Sequence, residues 1–408
     1  MKRYETYKDS GIQWWEEIPT HWDLKKAKHI FSLVTENVSD SSLPKIALEN
    51  IESWTGKYIE TDSDFMGEGV EFKKDDILFG KLRPYLAKVY KAEFAGQAVG
   101  DIYVFRGNEE QNPEYLKYLL LSYPFISVVD GSTYGAKMPR ANWDFISHLV
   151  LPCPPKSEQV TIAAFLDHKV GQIDATIAEK EQMLKELKAY RSAIISEAVT
   201  KGLDKNVEMK DSGIDKFPMI RSNWNTSKLK YIASIRSGSA LPINNIKKDA
   251  LYEVYGGNGC MGRADEYNTE SPAIIIGRVG ALCGNVHLIK TKKWVTDNAL
   301  ILNIKRDVTY EYLYYYLTAY DLNTLNSSNA QPLITGTKVL DVVTPMPSLN
   351  EQIMIANYLD DKTSMIDETI DQITVQIVEL KSYKSSLITE AVTGKIDLRD
   401  WKPKKENV

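Results

Sequence analysis

Apolar residues recur at helical spacing over two long stretches of the chain. In each stretch the repeating positions alternate between intervals of three and four residues, the heptad pattern of helices that pack along a seam. The two series are Ile173, Ile177, Lys180, Leu184, Leu187, Arg191, Ile194 and Ala198, then Ile366, Ile370, Ile373, Ile377, Leu380, Lys384, Leu387 and Ala391. A helix from Glu158 to Thr200 extends ~65 Å at about 1.5 Å per residue. The pattern predicts two long helices.

These two stretches are copies of one segment. At an offset of 193 residues, Glu158-Gln159 matches Glu351-Gln352, Leu166-Asp167 matches Leu359-Asp360, Ile173-Asp174 matches Ile366-Asp367, and "SEAVTKG" from Ser196 matches "TEAVTGK" from Thr389. Each copy follows a Pro-x-Pro stop, and Ser157 and Ser348 are predicted to be the helix N-caps. A second repeat, "KDSGI" at Lys8 and Lys210, has an offset of 202 residues. The chain therefore consists of two tandem halves.

The segments before the long helices, roughly 20–150 and 222–344, have a different pattern. Short β-branched and aromatic runs such as "AVGDIYVFRG" and "VTDNALILNI" are broken by Gly, Pro, Asn and Asp, which predicts strands and turns. Each segment has one helix-like stretch, "NPEYLKYLLLSY" or "TYEYLYYYLTAY". Each half is therefore predicted to be a mixed α/β globule followed by a long helix.

Composition limits the class of protein. The chain has 408 residues, of which 43% are hydrophobic, so each half is long enough to bury its own core. The three cysteines show no zinc-ligand spacing, which favours a reduced, cytoplasmic setting. No run approaches the roughly 18 apolar residues of a membrane helix, and the N-terminus has no apolar signal region. We therefore expect a cytoplasmic protein with no membrane partner.

Several phrases resemble one protein family. Two variable globules, each followed by the repeated "P-x-P…EQ…I…L…D" helix ending in "EAVT", are similar to the specificity subunits of type I restriction-modification systems. "DILFGKLRPYLAKV", "YGGNGCMG", "VTDNAL", "GAKM" at Gly135 and "GTKV" at Gly336 resemble the target recognition domains of that family. The likeness covers nearly the whole chain.

The resemblance implies an α+β fold with two mixed α/β target recognition domains in tandem, each followed by a long helix. The implied boundaries are 1–154 and 206–347 for the recognition domains, 155–205 and 348–400 for the spacer helices, and 401–408 for a tail. The two helices are expected to pack as an antiparallel coiled coil. This coiled coil is either a hairpin that only holds a core together or a rod whose length sets the gap in a bipartite DNA site. The implied partners are double-stranded DNA, two methyltransferase subunits and restriction/translocase subunits. S-adenosylmethionine, ATP and Mg would bind to those partner subunits, and no cofactor to this chain.

Enzyme motifs give no support for catalysis by this chain. "NPEY" at Asn112 looks like a methyltransferase loop, but the aligned second copy has Thr309-Tyr310, and Asn-Pro opening a helix explains it better. "GNGCMG" is followed by no helix that could hold a pyrophosphate, and it is more simply a glycine-rich turn. The five histidines have no ligand spacing. We therefore expect a non-catalytic chain with no metal site.

DNA binding by a chain of net charge −5 depends on local positive charge. Candidates are basic or amide side chains in loops that also contain aromatic or glycine residues, because Arg and Lys can pair with guanine and Asn with adenine. They are Lys81, Arg83, Tyr85, Lys137, Arg140, Asn258, Arg263, Arg278 and Lys338. For any one of them a phosphate contact or a plain surface charge is commoner than base readout. The alternative function is a coiled-coil scaffold that binds proteins and reads no DNA sequence.

Overall fold

The fold is taken from a computed structural model, which describes residues 2–38, 42–61, 65, 67–133, 137–204, 206–280, 282–326 and 332–403. Gly135 of the "GAKM" phrase, the end of the first spacer boundary at 205 and most of the 401–408 tail lie outside them. The chain divides into two compact units. The first unit comprises Met1–Glu181 and Val375–Val408, and the second comprises Gln182–Thr374.

The helices are α1 (Pro113–Leu121), α2 (Tyr123–Gly131), α3 (Trp143–His148), α4 (Lys156–Lys201), α5 (Leu229–Ile232), α6 (Tyr310–Tyr320), α7 (Gly336–Leu340) and α8 (Leu349–Val392). The predicted long helices are confirmed as α4 and α8. Apart from α2 and the short helices α3, α5 and α7, which the sequence pattern missed, the helices fall where the periodicity indicated. None of the helices in the described part of the chain is long and apolar enough to cross a membrane.

The strands of the first unit are β1 (Tyr7–Asp9), β2 (Glu17–Pro19), β3 (Asp23–Lys26), β4 (Phe31–Val34), β5 (Asn37–Val38), β6 (Lys45–Ile46), β7 (Gly69–Phe72), β8 (Ile77–Gly80), β9 (Val89–Lys91), β10 (Gly96–Ala98), β11 (Ile102–Gly107) and β12 (Val150–Cys153). Those of the second unit are β13 (Met209–Asp211), β14 (Met219–Arg221), β15 (Asn225–Lys228), β16 (Ala233–Ser237), β17 (Tyr252–Gly256), β18 (Gly259–Ala264), β19 (Ala273–Gly277), β20 (Val286–Ile289), β21 (Trp294–Val295), β22 (Ala299–Ile304) and β23 (Val343–Met346).

Each unit contains the same central sheet. In the first unit the antiparallel order is β4-β11-β8-β9, and in the second it is β16-β22-β19-β20. Strands β8 and β19, "ILFG" and "AIIIG", are buried along their whole length, as expected for runs that face apolar side chains on both sides. The tandem duplication predicted from the sequence is therefore a duplication of structure.

A helix covers each central sheet at the same place. Helix α1 packs on β8 and β9, and α6 packs on β19 and β20. Asn112 caps α1 by accepting from the Tyr115 N–H, with Pro113 in the first turn, and Thr309 caps α6 by accepting from the Tyr312 N–H. The interpretation of "NPEY" as a helix start is confirmed.

The long helices α4 and α8 run antiparallel. In the first unit Lys384 Nζ donates to Asp174 Oδ1 at 2.8 Å, and in the second Arg191 Nε donates to Asp367 Oδ1 at 2.8 Å. An early position on α4 thus faces a late position on α8, and a late position on α4 faces an early one. The apolar residues of the heptad series are buried or half-buried, which is the burial that a packed seam requires.

The two predicted N-caps have different outcomes. Ser348 Oγ accepts from the Glu351 N–H at 3.4 Å while Glu351 Oε2 accepts from the Ser348 N–H at 3.1 Å, a reciprocal capping box that confirms Ser348. The prediction for Ser157 is wrong, because α4 already begins at Lys156 and the Pro155 carbonyl accepts the N–H of Gln159.

Candidate nucleic-acid interface

One loop of the first unit holds three of the candidate DNA-binding residues. The loop 81–88 connects β8 to β9, and its backbone is hydrogen-bonded to two neighbouring segments. The Lys81 N–H donates to the Asp101 carbonyl at 2.9 Å, and the Arg83 N–H donates to the Pro139 carbonyl at 2.8 Å. The Ala141 N–H donates to the Lys81 carbonyl at 2.8 Å. The fold thus places Lys81 and Arg83 beside Arg140.

These side chains form a cationic cluster around one carboxylate. Arg140 donates two hydrogen bonds to Asp101, each 3.0 Å long, and Asp101 raises the pKa of Arg140. Lys81 Nζ lies 3.9 Å from Asp101 Oδ1 and over the ring of Tyr103, with 5.2 Å between Nζ and the ring centroid. Arg83 and Lys137 are exposed. Four cationic residues thus lie in two neighbouring segments of this region, and Asp101 pairs with two of them, Lys81 and Arg140.

Tyr85 is the exposed aromatic residue of the same loop. Its carbonyl accepts a hydrogen bond from Trp54 Nε1 at 3.1 Å, which joins the loop to the 51–58 segment. Trp54 in turn lies against Tyr123, with stacked rings whose centroids are 6.4 Å apart. The Tyr85 ring therefore projects from a supported backbone, as a stacking or groove-contacting side chain would need.

The second unit repeats the backbone of this loop with other side chains. Arg278 follows β19 as Lys81 follows β8, and its N–H donates to the Asn298 carbonyl at 3.0 Å. The Gly280 N–H donates to the Pro332 carbonyl at 3.2 Å, and the Ile334 N–H to the Arg278 carbonyl at 2.9 Å. Asn298 thus occupies the position of Asp101, and Gly280 the position of Arg83.

The chemistry of the second loop is more apolar. Val279 and Leu282 are exposed there. The Arg278 guanidinium donates through Nη1 to Ser237 Oγ at 3.3 Å, while its Nε is buried and has no hydrogen-bond partner in the described part of the chain. Apolar side chains can contact thymine methyl groups, whereas arginine pairs with guanine or phosphate. The two loops therefore offer different groups to a ligand on the same scaffold.

The other candidates of the second unit are spread over separate elements. Asn258 is exposed in the turn between β17 and β18, which confirms the glycine-rich phrase as a turn. Arg263 donates to the carbonyls of Ala250 and Leu251, at 2.5 and 2.9 Å, and Lys338 Nζ donates to the Leu325 carbonyl at 2.9 Å. Arg263 and Lys338 thus bind their own backbone, whereas the Asn258 side chain projects into solvent.

Two repeated glutamines support the starts of α1 and α6. The repeated glutamines cap the neighbouring helix starts, since Gln159 Oε1 accepts the Asn112 N–H and Gln352 Oε1 accepts the Thr309 N–H, each at 2.8 Å. The sequence displayed these glutamines as a repeat. Their role could not be read from it, because their partners lie more than 40 residues away.

Tyrosines of α1 and α6 fix each sheet to a long helix. The Tyr118 hydroxyl donates to Asp167 Oδ1 at 2.8 Å, and the Tyr315 hydroxyl donates to Asp360 Oδ1 at 2.6 Å. Burial, followed by the nearby carboxylate, raises the pKa of both hydroxyls, so they stay protonated donors. The aspartates of the repeated Leu-Asp pairs thus join α1 to α4 and α6 to α8.

Comparison with known proteins identifies the fold family. The family model described as the type I restriction modification DNA specificity domain matches residues 29–189 and again 221–379. The chain belongs to this family. All nine candidate DNA-binding residues fall within the two matched ranges, which repeat as the two units do.

Members of the specificity-domain family resemble this chain over different lengths. The specificity subunit of the Escherichia coli type I restriction enzyme EcoprrI is 32% identical over 162 residues, which are 39% of this chain and 38% of that subunit. The MjaVIII specificity subunit of Methanocaldococcus jannaschii is 20% identical over 80% of this chain and 77% of its own length.

A solved structure shares the fold of this specificity-domain chain. It comes from work on complex assembly and conformational transition of the type I R-M system, and it matches with a TM-score of 0.73 at 16% identity. The match covers 93% of this chain and 99% of that one. At this identity the likeness concerns the fold alone.

Proposed function

We propose that this chain is the DNA-specificity subunit of a type I restriction-modification complex, in which each unit reads one half of a bipartite double-stranded site. The observation that carries the proposal is the loop that follows β8 and β19. Three backbone hydrogen bonds hold this loop to its neighbouring segments in the same way in both units. The side chains differ at the loop position of Arg83 and at the neighbouring position of Asp101. A constant scaffold with variable exposed groups suits two readers of two different base sequences.

Local charge makes the first loop suitable for DNA despite the overall charge of −5. Lys81, Arg83, Lys137 and Arg140 lie in or beside two hydrogen-bonded segments, and Asp101 is the acidic residue that pairs with two of them. Phosphate affinity depends on such local potential, and counterion release makes it dependent on salt. The proposed DNA contact is therefore electrostatic in part.

The proposed complex divides its chemistry among subunits. This chain supplies recognition, while two methyltransferase subunits and restriction/translocase subunits supply catalysis and bind S-adenosylmethionine, ATP and Mg. Two copies of one partner suit a chain whose long helices present equivalent surfaces. Tyr190 on α4 and Tyr383 on α8, which are 193 residues apart, are both exposed at the same point of the repeat.

Fluorescence anisotropy distinguishes this function from the coiled-coil scaffold. The full chain is titrated into a labelled duplex that carries the bipartite motif methylated in the host genome, with and without the cognate methyltransferase subunit. Two control duplexes each have one half-site scrambled. We expect tighter binding to the intact motif than to either control, and a further gain when the methyltransferase is present. Equal affinity for all three duplexes would contradict DNA sequence readout and favour the scaffold.

A further inference from the structure

Arg83 has a backbone conformation that arginine seldom adopts. Its φ is 52° and its ψ is 65°, in the left-handed region where a side chain crowds the following carbonyl. The conformation is imposed by the loop, because the Arg83 N–H donates to the Pro139 carbonyl and its own carbonyl accepts the N–H of Leu86 at 2.9 Å. Strain of this kind persists where the surrounding structure enforces it, and it is common at functional sites.

The second unit has glycine at the same place. Gly280 occupies the position of Arg83, and its φ is 84°. Gly284, with φ 93°, occupies the position of Ala87, whose φ is 46°. Glycine adopts left-handed backbone freely. The duplicated loop thus requires left-handed backbone at two positions, and the first unit meets one of these requirements with an arginine.

Packing does not explain the arginine. Ala87 is buried, so its methyl group offsets some of its strain by filling the core. Arg83 is exposed, and its side chain makes no hydrogen bond or ion pair within the residues that the structure describes. A Cβ built on Gly280 has no heavy atom within 4 Å, so a residue here is not needed to fill space. Stability alone would favour glycine at position 83.

The surroundings of Arg83 point to an anionic ligand. Asp101, the nearby carboxylate, is already bonded to Arg140 and lies close to Lys81. Arg83 is therefore a cation without an acidic partner among the described residues, next to Arg140 and Lys81, which share the carboxylate of Asp101. Most protein hydrogen bonds to DNA go to phosphate and sugar, and they fix orientation on the duplex.

We propose, on the basis of the proposed DNA-reading function, that Arg83 binds a backbone phosphate of the half-site read by the first unit, and that the second unit has no counterpart of this contact at its equivalent loop. The two units therefore hold their half-sites by different chemistry. The first loop binds with charge, whereas the second loop presents Val279 and Leu282. Base readout by Arg83 is the competing assignment, which the experiment separates.

Three variants of the full chain test this assignment. Arg83→Gly copies the residue of the second unit, Arg83→Lys keeps the charge, and Ala87→Gly is the matched control that loosens the same loop without removing a cation. Affinity for a labelled duplex carrying the intact motif is measured by anisotropy over a series of salt concentrations. Thermal unfolding is recorded for each variant, and the methylated motif is mapped in cells that express it with its methyltransferase.

For Arg83→Gly we expect the slope of log affinity against log salt to fall by about 0.9, with affinity about eightfold weaker near 0.1 M salt. Its unfolding temperature should be no lower than that of the wild type, because glycine suits the backbone. Arg83→Lys should keep the slope and the full methylated motif. Ala87→Gly should leave both the slope and the affinity unchanged.

Each contrary result has a definite meaning. Wild-type binding with an unchanged slope for Arg83→Gly would overturn this inference and leave the proposed function standing. Absence of sequence-specific binding by the wild type would overturn both. A wild-type slope for Arg83→Lys together with a motif relaxed at one position would assign Arg83 to base readout instead of phosphate. A much lower unfolding temperature for Arg83→Gly would show that the fold itself requires the arginine.

Discussion

The ion pairs that join α4 to α8 allow a comparison within one molecule. In the first unit, Lys384 and Asp174 are mostly buried, with side-chain exposures of 9% and 15%. In the second unit, Arg191 and Asp367 are more open, at 24% and 49%. Replacing each cation by methionine keeps an apolar stem on the helix and removes the charge. The two substitutions therefore perturb the same kind of contact at two depths.

The buried pair should matter more for stability. Removing one partner of a buried pair costs about 3–5 kcal/mol, because the other charge is left uncompensated. Lys57 Nζ still lies 2.8 Å from Asp174 Oδ2, so part of the compensation remains. We expect Lys384→Met to lower the free energy of unfolding by about 2 kcal/mol. Arg191→Met should cost about 1 kcal/mol or less, as expected for a pair that water reaches.

Acidic pH should reduce the difference in stability cost between Lys384→Met and Arg191→Met. Burial alone would raise the pKa of Asp174, but hydrogen bonds from Lys384 and Lys57 outweigh it and hold the pKa below its usual value. The ionised carboxylate therefore contributes stability above its unfolded-state pKa of about 3.9. That contribution is lost as the pH falls through the lower pKa of the folded state. The effect of Lys384→Met should shrink accordingly.

Both effects are measured by urea unfolding of the full chain, with circular dichroism as the signal. The measurement is made at neutral pH and at a pH below the folded-state pKa of Asp174. Asp174→Asn, alone and combined with Lys384→Met, completes a double-mutant cycle that isolates the coupling between the two side chains. A cost of Lys384→Met no greater than that of Arg191→Met at neutral pH, or an equal cost at both pH values, would show that the buried ion pair does not stabilise the fold in this way.

Other parts of the molecule give further expected outcomes. Gln352→Leu should lower the free energy of unfolding by about 2–4 kcal/mol, since it leaves the Thr309 N–H and two carbonyls without their partner. Thermal unfolding measures this loss, and an unchanged unfolding temperature would contradict the role of Gln352. Asp101→Asn, which copies Asn298 of the second unit, should tighten DNA binding and steepen its salt dependence in anisotropy, whereas weaker binding would contradict the cluster's role. Exchange of residues 206–347 for those of a relative should change one half of the methylated motif, and a change in both halves would oppose independent readout. One matched heptad added to each of α4 and α8 adds about 10 Å of helix and should widen the gap in the site by ~3 base pairs, so an unchanged gap would mean that helix length does not set it.

Periodicity and repetition predicted most of the fold. The heptad series predicted α4 and α8 because a long seam of alternating intervals has few other structural meanings. The Asn-Pro start predicted the cap of α1 because capping is a local interaction, completed within three residues. Helix α2 was missed, since Ser122 and Pro124 indicate a break in helical structure, although proline is tolerated in a first turn.

The candidate interface depends on contacts between distant segments. The sequence could therefore predict which residues are candidates but not which of them lie together. Arg140 and Lys81 are both basic residues in loops, and their shared partner Asp101 becomes visible only when β8 and β11 pair. The correspondence of Arg83 with Gly280 could not be found from the repeat of the long helices, because the loops repeat at a different sequence offset from the helices. Arg263 is a DNA-binding candidate by its sequence, and the hydrogen bonds of its guanidinium to backbone carbonyls become visible only in the folded chain.

Methylation profiling measures whether this chain determines a bipartite DNA sequence. Plasmid DNA is isolated from a methylation-free host that expresses this chain with its cognate methyltransferase subunit, and each methylated position is mapped by single-molecule sequencing. A second host expresses the methyltransferase alone. We predict a single bipartite motif, two specific half-sites separated by a fixed number of unspecified bases, that appears only when this chain is present. Absence of any motif, or methylation of the same motif without this chain, would contradict sequence readout by the two units.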